Sequence, residues 1–161
     1  MRVGVISDTH DNARNVARIV QVLRAARVER VIHTGDITRP GTLRLLAELE
    51  VPVFGVFGNN DREREALVAV AEEHGFALAD PPLELCWAGR RITVVHDRAA
   101  HPELAGGGRD VLLHGHDHRR SLERRNGVLI FNPGECAGWL EGRNAVGVLD
   151  LLRLEADVLH F

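Results

Sequence analysis

The chain has few cysteines, no lysine, no excess of positive charge and no long hydrophobic run. Its 161 residues include only two cysteines, too few for a disulfide framework, so we expect a reducing, cytoplasmic compartment. The apolar runs are much shorter than the roughly 20 residues that a membrane-spanning helix needs. One arginine and a short strand-like run open the chain, which does not resemble a secretory signal peptide. We therefore expect no membrane partner.

The charge balance argues against long nucleic acids as partners. Lysine and arginine together number 20 and acidic residues 23, which gives a net charge of −3 with histidine neutral. A broad basic groove for duplex DNA or RNA is therefore not expected. Hydrophobic residues at 45% and charged residues at 27% are typical of a globular protein rather than a disordered one. The length predicts a single domain over residues 1–161.

Strand and helix patterns alternate along the first half of the chain. Short apolar runs at Val3–Ser7, Arg30–His33 and Val53–Val56 are each followed by a segment with helical spacing of apolar residues. The third helix is predicted from about Arg62 to His74, with Gly75 as its stop. This order predicts right-handed crossovers and a parallel sheet.

The second half is predicted to consist mainly of antiparallel strand pairs. The expected pairs are Leu83–Trp87 with Arg91–His96, Ser121–Arg125 with Val128–Asn132, and Ala145–Leu152 with Ala156–His160. Asn126-Gly127, between the strands of the second pair, is the strongest short hairpin signal in the chain. A further short strand is expected at Asp110–His114. The whole predicts an α/β fold in which two mixed sheets pack face to face with helices outside.

Most of the polar patterns in the chain lie just beyond a predicted strand. Nine histidines are many for this length, and ligands collect at the carboxyl ends of strands in open α/β sheets. The patterns are Asp8-Thr9-His10, Gly35-Asp36, Gly58-Asn59-Asn60-Asp61, His96-Asp97 and Gly115-His116-Asp117-His118. Taken singly, each has an ordinary explanation as a helix cap, a turn or a packed histidine.

Taken together, these patterns indicate a metal centre. They bring carboxylate, amide and imidazole donors to strand ends, and no cysteine is among them. Such a donor set suits a divalent transition metal such as Mn, Fe, Co, Ni or Zn. Two cations about 3.5–4 Å apart need a carboxylate bridge and a set of neutral donors, and the patterns supply both.

The order D-x-H, G-D, G-N, H and G-H-x-H resembles the calcineurin-like metallophosphoesterase superfamily. The turn at residues 58–61 and the segment Phe131–Gly138 are similar to its small single-domain archaeal and bacterial phosphodiesterase branch. That branch includes the metallophosphoesterase-like subunit of retromer. The resemblance implies a four-layer α/β/β/α fold and a metal-dependent phosphodiesterase, a phosphoric ester hydrolase that acts on small phosphodiesters.

The resemblance also implies a role for each ligand position. Asp8, His10 and His118 would hold one metal ion, Asn59, His96 and His116 a second, and Asp36 would bridge the two. The ions would generate a hydroxide that attacks phosphorus in line. Manganese is the expected metal, with iron, nickel, cobalt and zinc as alternatives.

Two positions depart from the family pattern. Many members have histidine where this chain has Asn60, which can hydrogen-bond a phosphoryl oxygen but cannot protonate a poor leaving group. The family usually has His-Gly-His where this chain has His96-Asp97-Arg98. We expect Arg98 to contact a nonbridging phosphate oxygen, with a solvated loop arginine as the alternative. Asn60 and Arg98 are thus candidate substrate-binding and catalytic residues, and Asp36 is the third catalytic candidate.

Several other polar residues have less specific patterns. His33 and His114 are interpreted as packed histidines, with a hydrogen bond to the metal ligands as the alternative for His33 and a functional role as the alternative for His114. His101 is interpreted as a solvated loop histidine, with an approach to substrate as the alternative. The basic strip, which we define as Arg119, Arg120, Arg124 and Arg125, could steer an anionic substrate or could simply face solvent.

Three alternatives to a phosphodiesterase stay open. A phosphomonoesterase and a nuclease of short single strands would use the same ligands, whereas a retromer-like scaffold would bind without catalysis. All the ligand positions hold competent residues, which argues against the scaffold. Trp139 and Leu140 permit an interface, so a homodimer or larger homo-oligomer is considered.

Overall fold

The computed structural model describes residues 1–140 and 142–161. Its strands are β1 (Arg2–Ile6), β2 (Arg30–His33), β3 (Val53–Val56), β4 (Ala77–Ala79), β5 (Leu83–Trp87), β6 (Arg90–Val94), β7 (Val111–Leu113), β8 (Ser121–Arg125), β9 (Val128–Asn132), β10 (Ala145–Asp150) and β11 (Glu155–His160). They form a six-stranded sheet, in the order β11-β10-β1-β2-β3-β4, and a five-stranded sheet, in the order β5-β6-β7-β9-β8. Both sheets are mixed, with parallel strands at their centres.

Three α-helices cover the outer face of the first sheet: α1 (Ala13–Ala25), α2 (Pro40–Leu46) and α3 (Arg64–Glu73). The Asn12 side chain caps α1 by accepting a hydrogen bond from the backbone N–H of Asn15 at 3.1 Å. Ile19 and Leu23, one helical turn apart, are fully buried in the core between helices and sheet. Burial of this apolar face is what holds the helix on the sheet.

A second core lies between the two sheets. Val3 and Val5 of β1 pack there against residues of the other sheet such as Phe131, whereas Ile6 belongs to the core under the helices. Successive side chains of a strand point to opposite faces, so this strand is buried on both sides. That explains its continuous apolar run.

The predicted fold class is confirmed: the fold is α/β, with two mixed sheets flanked by helices. The helical layer on the outer face of the second sheet is thin, because it consists of two short 3₁₀ helices, Arg98–Ala100 and Pro102–Ala105. Leu104 from this layer packs on Leu112 and Ile130. Strand β4 was not predicted, since three residues are too few for a recognisable alternation. No helix of the described residues is long and apolar enough to span a membrane.

The parallel central strands of both sheets end at the same edge of the molecule. Contacts between the loops that follow them show this directly. The Nδ1 atom of His96, beyond β6, lies 2.9 Å from the carbonyl oxygen of Thr34, beyond β2. The backbone N–H of His116, beyond β7, donates to Asp8, beyond β1, at 3.2 Å. Residues that follow these four strands therefore meet at one edge.

Candidate metal centre

All the predicted ligand side chains meet at this edge. Much of the local backbone is left-handed: φ is +51° at Asp8, +41° at His10, +57° at Asp36, +75° at His116 and +56° at His118. Non-glycine residues rarely adopt this conformation, and it concentrates at functional sites. Here it turns the chain sharply at the end of an extended strand and directs the side chain toward the centre.

The first group consists of Asp8, His10 and His118, each of which offers an atom within 4.8 Å of the others. Oδ1 of Asp8 lies 3.4 Å from Nε2 of His118 and 4.0 Å from Nε2 of His10. Among the described residues, Oδ1 of Asp8 and Nε2 of His10 are buried without a hydrogen-bond partner. Buried polar atoms are normally paired, so these atoms face a place where a ligand fits.

A neighbouring carboxylate fixes the orientation of His118. Nδ1 of His118 lies 2.9 Å from Oε2 of the fully buried Glu135. A carboxylate oxygen accepts, so this contact directs Nδ1 to Glu135 and leaves Nε2 on the side of Asp8, the arrangement in which an imidazole binds a metal. The first group therefore fits a metal ion.

The second group consists of Asn59, His96 and His116. Oδ1 of Asn59 lies 3.0 Å from Nε2 of His96 and 3.0 Å from Nδ1 of His116, and the two nitrogens are 3.2 Å apart. Donors about 2.1 Å from one ion and at right angles to each other would lie roughly 3 Å apart. This triangle of donor atoms therefore also fits a metal ion.

Asp36 lies between the two groups. Its Oδ2 is 3.4 Å from Nε2 of His10, and its Oδ1 is 3.5 Å from Nε2 of His96. Asn60 donates to the same carboxylate from its backbone at 2.9 Å and from its side chain at 2.7 Å. Burial opposes ionisation of Asp36, but the hydrogen bonds from His96 and Asn60 overcome it and lower the pKa. The carboxylate is thus charged and has one oxygen toward each group.

Asp8 lies where the backbone of Gly115 and His116 passes close to the end of β1. Its Oδ2 accepts hydrogen bonds from Ser7 Oγ and from the backbone N–H of His116. A Cβ at Gly115 would lie 1.9 Å from Ser7 Oγ, so only glycine permits this approach. Burial raises the pKa of Asp8 above its ordinary value, and a cation beside it would reverse that effect.

Two carboxylates that organise the centre were not identified from the sequence. Asp61 accepts hydrogen bonds from the backbone N–H groups of Gly58, Asp36 and Thr38 at 2.6, 3.0 and 2.6 Å. Glu135 accepts from the backbone of Leu140 at 2.7 Å as well as from His118. A carboxylate within a motif or near its end was the only available signal, and surface carboxylates give the same signal.

The candidate substrate-binding residues occupy different surroundings. The amide of Asn60 is engaged with Asp36, beside the second group. Arg98 forms an ion pair with Glu123 and lines an open cleft that also includes His116 and Asp117. The role predicted for Arg98 on a phosphate oxygen stays a prediction.

The remaining histidines and arginines are dispersed. His33 is fully buried; it accepts from the backbone of Gly35 at 3.1 Å and lies 3.1 Å from Thr9 Oγ1, and burial lowers its pKa to about 3. His114 is also buried, and His101 pairs with Glu103. The basic strip is divided, since Arg119 and Arg120 line a cleft with His118 whereas Arg124 donates to the backbone of Leu154.

An aromatic side chain covers the first group. The Trp139 ring lies parallel to the His118 ring, with centroids 4.7 Å apart and planes 12° apart, and its centroid is 4.3 Å from that of His10. The sequence predicted only an exposed apolar residue at this position. In the structure the indole packs directly on two of the candidate metal ligands.

Comparisons with known proteins agree with this geometry. The calcineurin-like phosphoesterase superfamily domain matches residues 1–153. A phosphodiesterase of Methanocaldococcus jannaschii is 31% identical over 162 residues, which cover 96% of each chain. The solved structure of an archaeal phosphodiesterase, 28% identical, superposes over 100% of both chains with a TM-score of 0.92. Vps29 of Entamoeba histolytica, solved with Zn²⁺, has a TM-score of 0.68 at 20% identity over 100% of this chain and 98% of that one, a likeness of fold alone.

Proposed function

Because the chain belongs to the calcineurin-like phosphoesterase superfamily, we propose that it is a metal-dependent phosphodiesterase that hydrolyses small phosphodiesters. The comparisons agree with the predicted enzyme class, a hydrolase of phosphoric esters. Two relatives that match nearly the whole of both chains are phosphodiesterases, which supports a diester as substrate.

The observation that carries the proposal is the pair of donor groups on either side of Asp36. One group has a buried carboxylate oxygen and a buried imidazole nitrogen that lack partners among the described residues, and the other has three donor atoms within 3.2 Å of one another. We assign Asp8, His10 and His118 to one ion, Asn59, His96 and His116 to a second, and Asp36 to the bridge. Nitrogen and oxygen donors suit a divalent transition metal; we propose manganese, with iron, nickel, cobalt or zinc as alternatives.

Two divalent ions bound in this way would supply Lewis acidity and a hydroxide nucleophile for in-line attack on phosphorus. The protein contributes the charge that holds them, from the carboxylates of Asp8 and Asp36. Asn60 places amide hydrogens beside the bridge, where they can also reach a phosphoryl oxygen. An amide cannot protonate an alkoxide, so we expect diesters with good leaving groups to be favoured.

The decisive experiment compares bis(p-nitrophenyl) phosphate with p-nitrophenyl phosphate as substrates. Protein stripped with a chelator should be inactive, and restored Mn²⁺ should return turnover with preference for the diester. Preference for the monoester would favour a phosphomonoesterase, and cleavage of short single strands alone would favour a nuclease. Absence of turnover with bound metal would favour a retromer-like scaffold and contradict the proposal.

We propose a reducing, cytoplasmic location for this activity. Cys86 is exposed and Cys136 is buried, and they do not form a disulfide. Burial raises the pKa of the Cys136 thiol to about 12, so this cysteine is inert packing rather than a nucleophile.

A further inference from the structure

An exposed tryptophan forms one wall of the centre. Trp139 is 64% exposed, an unusual state for the largest apolar side chain. One face of its indole packs on the imidazoles of His118 and His10. The rest of the ring is exposed beside the first group.

The loop that carries Trp139 is fastened at several points. Asn12 and Asn15, at the start of α1, donate to the carbonyl oxygens of Ala137 and Cys136 at 2.7 and 2.8 Å. Gly138 has a φ of +80°, and a Cβ there would lie 2.9 Å from the Asn15 side chain. Beyond the indole, Glu135 accepts from the backbone of Leu140 at 2.7 Å. The loop thus presents the tryptophan in one place instead of letting it fold into a core.

We propose that Trp139 is a specificity-determining residue that stacks on a flat aromatic group, such as a nucleobase, in one ester arm of the substrate. This inference rests on the proposed phosphodiesterase activity and narrows its substrate class to diesters with an aromatic or nucleoside arm. The indole offers an exposed ring beside the candidate metal centre, and stacking on tryptophan tolerates any base because every base has a π-face.

The test uses two diesters with the same leaving group. The p-nitrophenyl ester of thymidine monophosphate and methyl p-nitrophenyl phosphate both release p-nitrophenolate, so their ratio of kcat/KM isolates the retained arm. We expect the wild type to prefer the thymidine ester and Trp139→Ala to lower that ratio by about tenfold. Trp139→Phe should keep part of the preference. Leu140→Ala, a neighbour in the same loop, should keep the wild-type ratio.

A binding measurement gives a readout that does not depend on turnover. In a Trp87→Phe background, Trp139 is the only tryptophan, and adenosine monophosphate should quench its fluorescence in the metal-loaded protein whereas ribose phosphate should not. If neither these diesters nor bis(p-nitrophenyl) phosphate is hydrolysed, the proposed function is wrong and this quenching alone decides the role of Trp139.

Three results would overturn the inference. One is an equal loss on both esters in Trp139→Ala, which would mean that the indole only shields the metal ligands. Another is Trp139 fluorescence that changes with neither adenosine monophosphate nor ribose phosphate. The third is conversion of an oligomer to monomers by Trp139→Ala with an unchanged ratio, which would mean that the indole serves an interface between copies.

Discussion

The two donor groups of the centre are built differently. The first is closed: Asp8 is fully buried, Glu135 holds His118 from behind, and Trp139 covers the imidazoles. The second is open and has no carboxylate of its own, because its donors are an amide and two imidazoles. Its His116 is 42% exposed and faces Asp97 across 3.8 Å.

This difference suits the two groups to different tasks, retention of a cation at the first and ligand exchange at the second. Charge and enclosure favour tight retention of a cation, since an ion pair is stronger away from water. Neutral donors at an open cleft favour exchange of ligands and entry of substrate. We expect the first ion to bind more tightly than the second, and we expect both to depend on Asp36, which lies between the groups.

The largest effect is expected from Asp36→Ala. This change removes the carboxylate between the groups, so binding of two ions should be abolished and turnover should fall by about a thousandfold or more. Elemental analysis after dialysis against Mn²⁺ should find fewer than two metals per chain. Asp36→Asn keeps the shape and separates loss of charge from loss of packing. Two bound metals in the alanine variant would contradict the bridging assignment.

A smaller and selective effect is expected from Glu135→Gln. An amide cannot accept from both His118 and Leu140 in the present geometry, so His118 should lose its fixed orientation and proton position. We expect affinity for the first ion to fall by about 10- to 100-fold, with the second ion little affected. Calorimetric titration of stripped protein with Mn²⁺ measures both steps. Glu123→Gln is the matched control, because this carboxylate pairs with Arg98 outside the first group. An unchanged affinity for the first ion in Glu135→Gln would refute the role of Glu135.

Acid should release the ions in sequence. Burial lowers the pKa of His10, whereas at His96 the hydrogen bond and charge of Asp36 outweigh burial and raise the pKa. A proton competes with a metal for the same lone pair, so as the pH falls His96 is protonated first and the second ion should leave before the first. Metal content after dialysis at stepwise lower pH should fall in two steps, and the step at higher pH should be absent from His116→Ala. Simultaneous release would contradict the expected difference in affinity between the two groups.

The sequence predicted the elements and residues that depend on local pattern and missed those that depend on contact across the fold. The strand ends were predictable because apolar runs stop at polar motifs, as at Asp8 and His96. Glu135 and Trp139 were not, because each acquires its role from a histidine that lies far away along the chain. The ion pair between Arg98 and Glu123 was missed for the same reason.

The smallest effect is expected at the open side of the centre, from Arg98→Ala. Arg98 lines the cleft beside His116 and is partly exposed, with Glu123 as its partner. To contact a phosphate oxygen, Arg98 must give up its ion pair with Glu123. One anionic partner then replaces another, so the net contribution of Arg98 to substrate binding is small. We expect KM for a diester to rise about three- to fivefold with kcat little changed, and Glu123→Gln, which frees the guanidinium, to lower KM.

Arg124→Ala, which removes an arginine that is bound to Leu154, controls for the loss of positive charge. Steady-state kinetics at low and high salt would show whether the effect is electrostatic, since screening weakens an exposed charge. Unchanged kinetics in Arg98→Ala would assign this arginine to the surface and leave substrate binding at the open side to the second ion and Asn60.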